Sequence, residues 1–323
     1  HGRPVSLSLQ GEEPSGGTLR LESGPPLADM KHRVSLKLDH FDLHILSDFL
    51  SGAGSTLSEK IISGELTADY EMAGKKDSAW LISSLLIKAL EVRGRSEEES
   101  IVQLSHMDIG TLSIDGQSDR IDLKDLALEE IKMGNLSMGK VSLRALSFGR
   151  QHHHFHLEEI EIQHLSRNSL RIGILGIPEI IRDTQEDMIR IPEMTISELS
   201  GRLFETPEIR MSGIEYHPNA GIFTVVEAEA PSLGGSFVTF GATHARGLWF
   251  DHETEQLRIG EIHYEHAKTP RFECRQGTSH DISWRSEEDL LEIAMTHMEE
   301  AMIGSVRART LKAEGARVVP VSY

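Results

Sequence analysis

The sequence predicts a mainly β protein built from a repeated strand pattern. The pattern is clearest in residues 121–148, where each block of five opens with an aliphatic residue and has a second apolar residue two places later. Residues at i and i+2 share one face of a strand, whereas they lie about 200° apart around a helix. Each new pair begins three residues on, so a straight strand would place successive pairs on opposite faces. The pattern therefore requires a turn or bulge about every five residues, or burial of both faces.

The same spacing recurs elsewhere in the chain, with irregular spacers between the units. These units are Met107/Ile109/Leu112/Ile114, Phe155/Leu157/Ile160/Ile162, Ile189/Ile191/Met194/Ile196, Ile209/Met211/Ile214/Tyr216 and Leu257/Ile259/Ile262/Tyr264. Strand-like segments precede the repeat at 4–9, 34–38, 61–72 and 80–92. An apolar content of 38% with 26% charged residues favours an elongated body that has much surface per residue.

Two segments change to a helical period. Residues 39–50 have apolar side chains at i, i+3, i+6 and i+7 after Asp42, which predicts one short internal helix. Residues 286–289 resemble a capping box, and Gly304 can end a helix that begins there. One face of this predicted C-terminal amphipathic helix carries Leu291, Met295, Met298 and Met302. The stripe either packs on the end of the β-body or binds a partner protein.

These elements predict three regions along the chain. Residues 1–30 form an N-terminal strand and a connector rich in glycine and proline, and residues 31–282 form the repetitive β-body. Residues 283–323 form the C-terminal helix and a basic, mobile tail. Because strand-like sequence begins at once and no methionine opens the chain, we expect a piece of a longer protein, with any signal or membrane anchor outside it.

Charge and cysteine usage exclude several classes of partner and site. The net charge of −18 argues against binding to nucleic acid or to an anionic membrane surface, since both require clustered Lys and Arg. Cys274 is the single cysteine, so the chain has no internal disulfide and no cysteine zinc motif. A chain without disulfides suits the cytosol and the periplasm equally well.

No catalytic motif is present, and we expect neither an enzyme nor a cofactor. The chain contains no GxSxG, no GxxxxGK[ST] and no GxGxxG after a strand. The most conspicuous polar cluster is His152, His154 and His156, which would share one face of a strand. Three imidazoles on one face can bind Zn²⁺ or Ni²⁺, but no spacing supplies a fourth ligand, so the histidines are better explained as a solvated strand or loop tip.

One part of the chain resembles a known family. Residues 34–43 (VSLKLDHFDL), followed by Leu46, Phe49-Leu50 and the strand 62–66 (ISGEL), resemble the AsmA-like (AsmA/TamB-type) envelope proteins of Gram-negative bacteria. Residues 107–131 look like the next piece of the same pattern. The resemblance is best over roughly 34–148 and looser to about 265.

The resemblance implies an incomplete, elongated β-barrel or folded sheet with an apolar groove. It also implies a periplasmic body with an inner-membrane tether, and it brings no catalytic residues. Larger members are thought to conduct phospholipids between the two membranes.

These observations lead to two hypotheses. In the first, the chain binds or guides lipid acyl chains in a β-groove, for intermembrane lipid transport or outer-membrane biogenesis. Candidate groove residues are Leu112, Ile114, Ile121, Leu123, Leu126, Leu128, Ile131 and Met133. In the second, the apolar pairs close on themselves as a filled core, and the protein is a scaffold that assembles with envelope partners through its C-terminal helix.

Overall fold

The protein is mainly β, as the sequence predicts. A computed structural model describes residues 7–12, 18–23, 32–42, 60–73, 79–94, 100–115, 120–149, 154–183, 187–201, 204–235, 238–285 and 290–318. Within these ranges 21 strands and no helix are found. The chain divides into two compact units, His1–Asn168 and Ser169–Tyr323.

The first unit contains an antiparallel meander of nine strands. They are β1 (Leu7–Glu12), β2 (Thr18–Ser23), β3 (His32–Asp42), β4 (Lys60–Ala73), β5 (Ala79–Gly94), β6 (Ser100–Asp115), β7 (Arg120–Met133), β8 (Leu136–Gly149) and β9 (His154–Arg167). Each strand pairs with the next one along the chain. Antiparallel neighbours need only short connections, which suits the close spacing of the apolar units in the sequence.

The second unit repeats this arrangement with three short extra strands. Its strands are β10 (Leu170–Asp183), β11 (Met188–Ser200), β12 (Phe204–His217), β13 (Ile222–Ala230), β14 (Leu233–Gly235), β15 (Thr239–Phe240), β16 (Thr243–Asp251), β17 (Gln256–Glu265), β18 (Phe272–Glu273), β19 (Gln276–Arg285), β20 (Leu290–Ile303) and β21 (Val306–Val318). The main pairing order is β10–β11–β12–β13–β16–β17–β19–β20–β21, antiparallel throughout. β14 and β15 add to the end of β12, and β18 pairs with the end of β20.

Bulges explain why the apolar pattern changes parity every five residues. In β7, Asp125 and Glu130 have φ values of 56° and 51° and separate the successive apolar pairs. Both residues, and the positions opposite them in β6, Gly110 and Ser105, are left out of the ladder, while the register on either side is unchanged. We call such a paired interruption a bulge, although neither strand has an extra residue. A residue in the left-handed region rotates the strand, so the next apolar pair returns to the same face. The sequence left open a turn or bulge about every five residues, or burial of both faces, and β7 has the bulges.

The bulges of neighbouring strands stand opposite each other. Where the two facing residues approach most closely, one of them is a glycine. A Cβ atom on Gly110 would lie 3.1 Å from the Cβ of Asp125, and one on Gly173 would lie 2.8 Å from the Cβ of Glu198. In unit 2 a single row of unpaired positions crosses eight strands. Its members are Pro192, Gly213, Val226, Gly247, Gly260, Asp281, Ala294 and Gly315.

The predicted C-terminal helix is wrong. Residues 290–303 form β20, and residues 306–318 form β21 rather than a loose tail. The residues of β20 that share its apolar face are Leu291, Ile293, Thr296, Met298, Ala301 and Ile303, grouped in five-residue blocks. Apolar residues on this face are two, three or five positions apart, and the four-residue spacing of Leu291 and Met295, which suggests a helix, joins residues of opposite faces.

The predicted internal helix receives no support within the described residues. β3 continues through Asp42, so residues 39–42 are strand instead of the first turn of a helix. The remainder of the predicted helix, residues 43–50, lies outside the described residues. β-branched and alternating residues before Asp42 favour the extended conformation there.

Candidate apolar binding face

All eight predicted groove residues lie on one face of two neighbouring strands. The register pairs Ile114 with Ile121 and Leu112 with Leu123 across β6 and β7. Leu126, Leu128 and Ile131 stand opposite Ile109, Met107 and Leu104, and Met133 stands opposite Leu136 of β8. The five-residue blocks of the sequence therefore become one apolar surface because the bulges keep the blocks in phase.

The same surface continues across β8 and β9. Leu123, for example, pairs with Leu146, which in turn pairs with Leu157. The surface also extends onto β5, where Ile82 stands opposite Leu112. We call its part on β6–β9 the unit 1 apolar face. Its members are Val102, Leu104, Met107, Ile109, Leu112, Ile114, Ile121, Leu123, Leu126, Leu128, Ile131, Met133, Leu136, Met138, Val141, Leu143, Leu146, Phe148, Phe155, Leu157, Ile160 and Ile162.

Most of the unit 1 apolar face is only partly shielded from solvent. Ile109 in the middle is 6% exposed, whereas Met133 and Phe148 at the two ends are 46% and 36% exposed. Strong contacts between the described elements of this unit join only consecutive strands. Neighbouring strands of the same sheet therefore provide much of this shielding.

The reverse face of these strands is polar. The hydroxyl groups of Ser137 and Ser166 lie 2.7 Å apart across β8 and β9. At a bulge, Arg144 Nη2 donates to Glu158 Oε2 at 2.5 Å, and this contact raises the pKa of the Arg144 guanidinium. An antiparallel sheet with one apolar and one polar face normally has its apolar face against a core.

In unit 2, part of the corresponding face is closed into a small core. Tyr264, Ala267, Cys274 and Ala301 are buried together, and the rings of Tyr264 and Phe240 make an edge-to-face contact with centroids 5.1 Å apart. Burial raises the pKa of the Cys274 thiol and of the Tyr264 hydroxyl. A buried, protonated thiol is a poor nucleophile, so Cys274 has the environment of a structural residue.

The four residues of the predicted partner helix are divided between the two faces of β20. Leu291 pairs with Trp284 and Met298 with Gly277, both on the apolar side. Met295 stands opposite His280 on the polar side, and Met302 is 44% exposed. A single docking stripe therefore does not exist, because the alternation of a strand separates residues that a helix would align.

The proposed three-histidine metal site stays a prediction. His152 lies outside the described residues, and His154 is placed only as a backbone position of β9 opposite Gly149. The imidazole Nδ1 of His156 lies 3.6 Å from Glu158 Oε1, which identifies a carboxylate neighbour for that ring.

Sequence reasoning missed a different polar cluster, on the reverse face of unit 2. Glu227 and Glu229 on β13 meet His244 on β16, and their ligand atoms all lie within 4.8 Å of one another. The spacing of Glu227 and Glu229 can be read from the sequence. His244 joins them only because β13 pairs with β16, although the short strands β14 and β15 lie between these two strands in the chain.

Comparison with known proteins gives no relative for this chain: no protein-family model, curated protein or solved structure matches it significantly. Among the described residues, no helix has the length and apolar character needed to cross a lipid bilayer.

Proposed function

We propose that this protein binds or guides lipid acyl chains on the unit 1 apolar face, as a non-enzymatic component of a Gram-negative cell envelope. In this proposal the sheet curves into a groove or incomplete barrel of the AsmA-like type. The body lies in the periplasm and is tethered to the inner membrane through additional sequence. Its role is intermembrane lipid transport or outer-membrane biogenesis, in which envelope proteins are the expected partners.

The observation that supports the proposal is the extent of this apolar surface, most of which is only partly shielded from solvent. Twenty-two apolar side chains occupy one side of four consecutive strands. Neighbouring strands are about 4.8 Å apart, so this surface is about 14 Å wide between the axes of its outer strands. Contact with water is unfavourable for such a surface, which marks it as an interaction site.

An acyl chain is a suitable occupant for chemical reasons. Burial of a methylene group contributes about 0.8 kcal/mol, so even partial burial of a long chain supplies a useful binding free energy. The face offers aliphatic side chains without an ordered set of polar groups, as expected for a ligand that is recognised by its apolarity. The polar reverse face remains hydrated and keeps the loaded sheet in solution.

The first test is native mass spectrometry of the purified chain, together with lipid extraction from the same sample. Acyl-chain binding predicts additional mass that is lost on gentle activation and appears as phospholipid in the extract. A lipid-free mass combined with a cooperative thermal transition would contradict the proposal and favour the scaffold hypothesis, in which protein partners cover the face.

A matched pair of variants localises the binding. Leu126→Glu introduces one negative charge in the middle of the apolar face, between Ile109 and Leu143. Thr111→Glu introduces the same charge on the reverse face, opposite Lys124. We expect the first variant to remain folded and to lose at least about nine-tenths of its bound lipid, because an unpaired charge on an apolar surface is strongly unfavourable.

The control is expected to retain its lipid. If Leu126→Glu stayed folded and kept its lipid, the site would lie elsewhere. If Leu126→Glu unfolded while Thr111→Glu did not, Leu126 would belong to a filled core.

A further inference from the structure

Two strands of unit 2 place a histidine and two glutamates together on the polar face. Glu227 and Glu229 are two residues apart in β13, so their side chains project from the same side. His244 of β16 stands directly opposite Glu229. Its Nε2 atom is 2.5 Å from Glu227 Oε1 and 3.8 Å from Glu229 Oε1.

A second imidazole lies beside this group. His263 of β17 stands opposite His244 in the ladder, and both residues line a depression of about 430 Å³ that also contains Glu229 and Glu265. The Nδ1 atom of His263 is 3.1 Å from Thr278 Oγ1. A hydrogen bond at this atom fixes the ring and leaves Nε2 for a ligand bond, as is usual for metal-binding histidines.

We infer that Glu227, Glu229, His244 and His263 form a binding site for a divalent cation of the zinc class. Zn²⁺ binds imidazole nitrogen and carboxylate oxygen at about 2.0–2.2 Å, which separates tetrahedral donor atoms by about 3.4 Å. The two distances from His244 Nε2, 2.5 and 3.8 Å, lie on either side of that value. Glu229 is 62% exposed at its side chain and can therefore adjust freely.

The donor set selects among cations. Imidazole suits Zn²⁺, Cu²⁺ and Ni²⁺, whereas Ca²⁺ and Mg²⁺ prefer sites made entirely of oxygen. Arg246 Nε lies 3.2 Å from Glu227 Oε1 and opposes cation binding through its charge. Arg210 also lines the depression, but Glu208 and Glu265 line it as well, so the carboxylates of the site outnumber its two arginines and the local charge still favours a cation.

The same polar face supplies an internal control. His280 Nδ1 lies 3.5 Å from Glu261 Oε2, in a cross-strand pair between β17 and β19. This pair has the geometry of an ordinary histidine–carboxylate contact, and it lies outside the group of possible metal ligands found among the described residues. Loss of His280 therefore measures the general effect of removing a histidine from this face.

The test is calorimetric titration of Zn²⁺ into the full chain after treatment with a chelator. His152, His153, His154 and His156 are first replaced by glutamine, because this cluster can bind zinc by itself. In that background we expect one Zn²⁺ per chain. His244→Gln and Glu229→Gln should each weaken binding by at least about tenfold, while His280→Gln leaves it unchanged.

A spectroscopic measurement adds the coordination geometry. Co²⁺ in place of Zn²⁺ should give the intense visible bands of a tetrahedral site, and these bands should disappear in His244→Gln. Absence of binding in the parent protein would overturn the inference, as would an equal loss of affinity in His244→Gln and His280→Gln. If His244→Gln does not fold, the exposed Glu229→Gln decides the question.

The zinc site and the lipid face are independent. The site lies on the polar side of unit 2, so Leu126→Glu in unit 1 should leave the zinc titration unchanged. Failure of the lipid proposal therefore leaves the metal inference standing, and the reverse also holds.

Discussion

The unit 1 apolar face and the small core of unit 2 arise from the same strand pattern but differ in what covers them. In unit 1 the centre of the face is buried, with Ile109 6% exposed, but its two ends are open: Met133 and Phe148 are 46% and 36% exposed. In unit 2 Tyr264 and Cys274 belong to a core with 8% and 1% exposure. Alternation and bulges produce an apolar surface in both units, so the pattern alone does not decide whether that surface is open.

The covering element in unit 2 is the short segment 266–275. Its backbone folds on itself through hydrogen bonds from Cys274 N to Ala267 O and from Thr269 N to Phe272 O. Pro270 occupies the turn between Thr269 and Phe272, where its fixed φ favours a tight reversal. A segment of ten residues is thus enough to convert part of an open face into a closed core.

Removal of the central ring of the core should have the largest effect on stability. We expect Tyr264→Ala to lower the free energy of unfolding by about 3–5 kcal/mol, because the ring packs against Phe240 and leaves a cavity that its neighbours cannot fill. Phe148→Ala in unit 1 should lose no more than about half as much, since over a third of that residue is already in water. Urea unfolding of both variants measures the difference.

Tyr264→Ala should also increase the reactivity of the Cys274 thiol. Opening the core gives a thiol reagent access to Cys274, so alkylation of native Tyr264→Ala should be faster than alkylation of the parent protein. Equal losses of stability in Tyr264→Ala and Phe148→Ala would indicate that the Phe148 end of the unit 1 face is as well covered as the core of unit 2, and would remove the contrast between these two regions.

The sequence was sufficient to predict the strands and their irregularity in unit 1. The spacing of Ile121, Leu123, Leu126 and Leu128 predicts β-structure with an interruption between the pairs, and Asp125 is the residue that supplies it. Local spacing is enough in this case because a meander pairs each strand with the next one. The grouping of the eight groove candidates on one face follows from the same rule.

The sequence was misleading where bulges imitate a helix. Leu291 and Met295 are four residues apart, a helical spacing, but Ala294 lies in the bulge row and shifts the phase of β20 between them, so they face opposite sides of the sheet. The histidine–glutamate cluster was missed for a different reason. Pairing of β13 with β16 skips two short strands, and no local pattern specifies such a skip.

A tight bulge pair offers a prediction of intermediate size. A Cβ atom on Gly173 would lie 2.8 Å from the Cβ of Glu198, so Gly173→Ala should cost about 1–3 kcal/mol through overpacking. Gly176→Ala is the control in the same strand, because its nearest neighbouring atom, Thr195 O, is 4.0 Å away. Chemical denaturation should show the control to be neutral or slightly stabilised.

A second substitution tests whether this contact is the cause. Glu198→Gly removes the opposing side chain, so it should restore most of the stability lost in Gly173→Ala. In unit 1 the corresponding pair is looser, since a Cβ on Gly139 would lie 3.2 Å from the Cβ of His164. Gly139→Ala should therefore cost less than Gly173→Ala. A larger loss of stability in Gly139→Ala than in Gly173→Ala would show that the bulges of the two units do not differ in the way that these distances imply.

The smallest effects should come from the bulge residues that adopt the left-handed conformation without being glycine. Glu130 in unit 1 and Glu300 in unit 2 have φ values of 51° and 49°. This conformation costs a residue with a side chain about 1 kcal/mol, so Glu130→Gly should raise the free energy of unfolding by up to that amount. Glu300→Gly should gain less, because Glu300 also accepts a hydrogen bond from Arg275, at the end of the covering segment. Glu129→Gly, at an ordinary strand position, should lower stability instead. Precise urea titrations of the three variants can resolve these differences in the free energy of unfolding. If Glu300→Gly gained more stability than Glu130→Gly, the contact between Arg275 and Glu300 would contribute nothing to keeping the core of unit 2 closed.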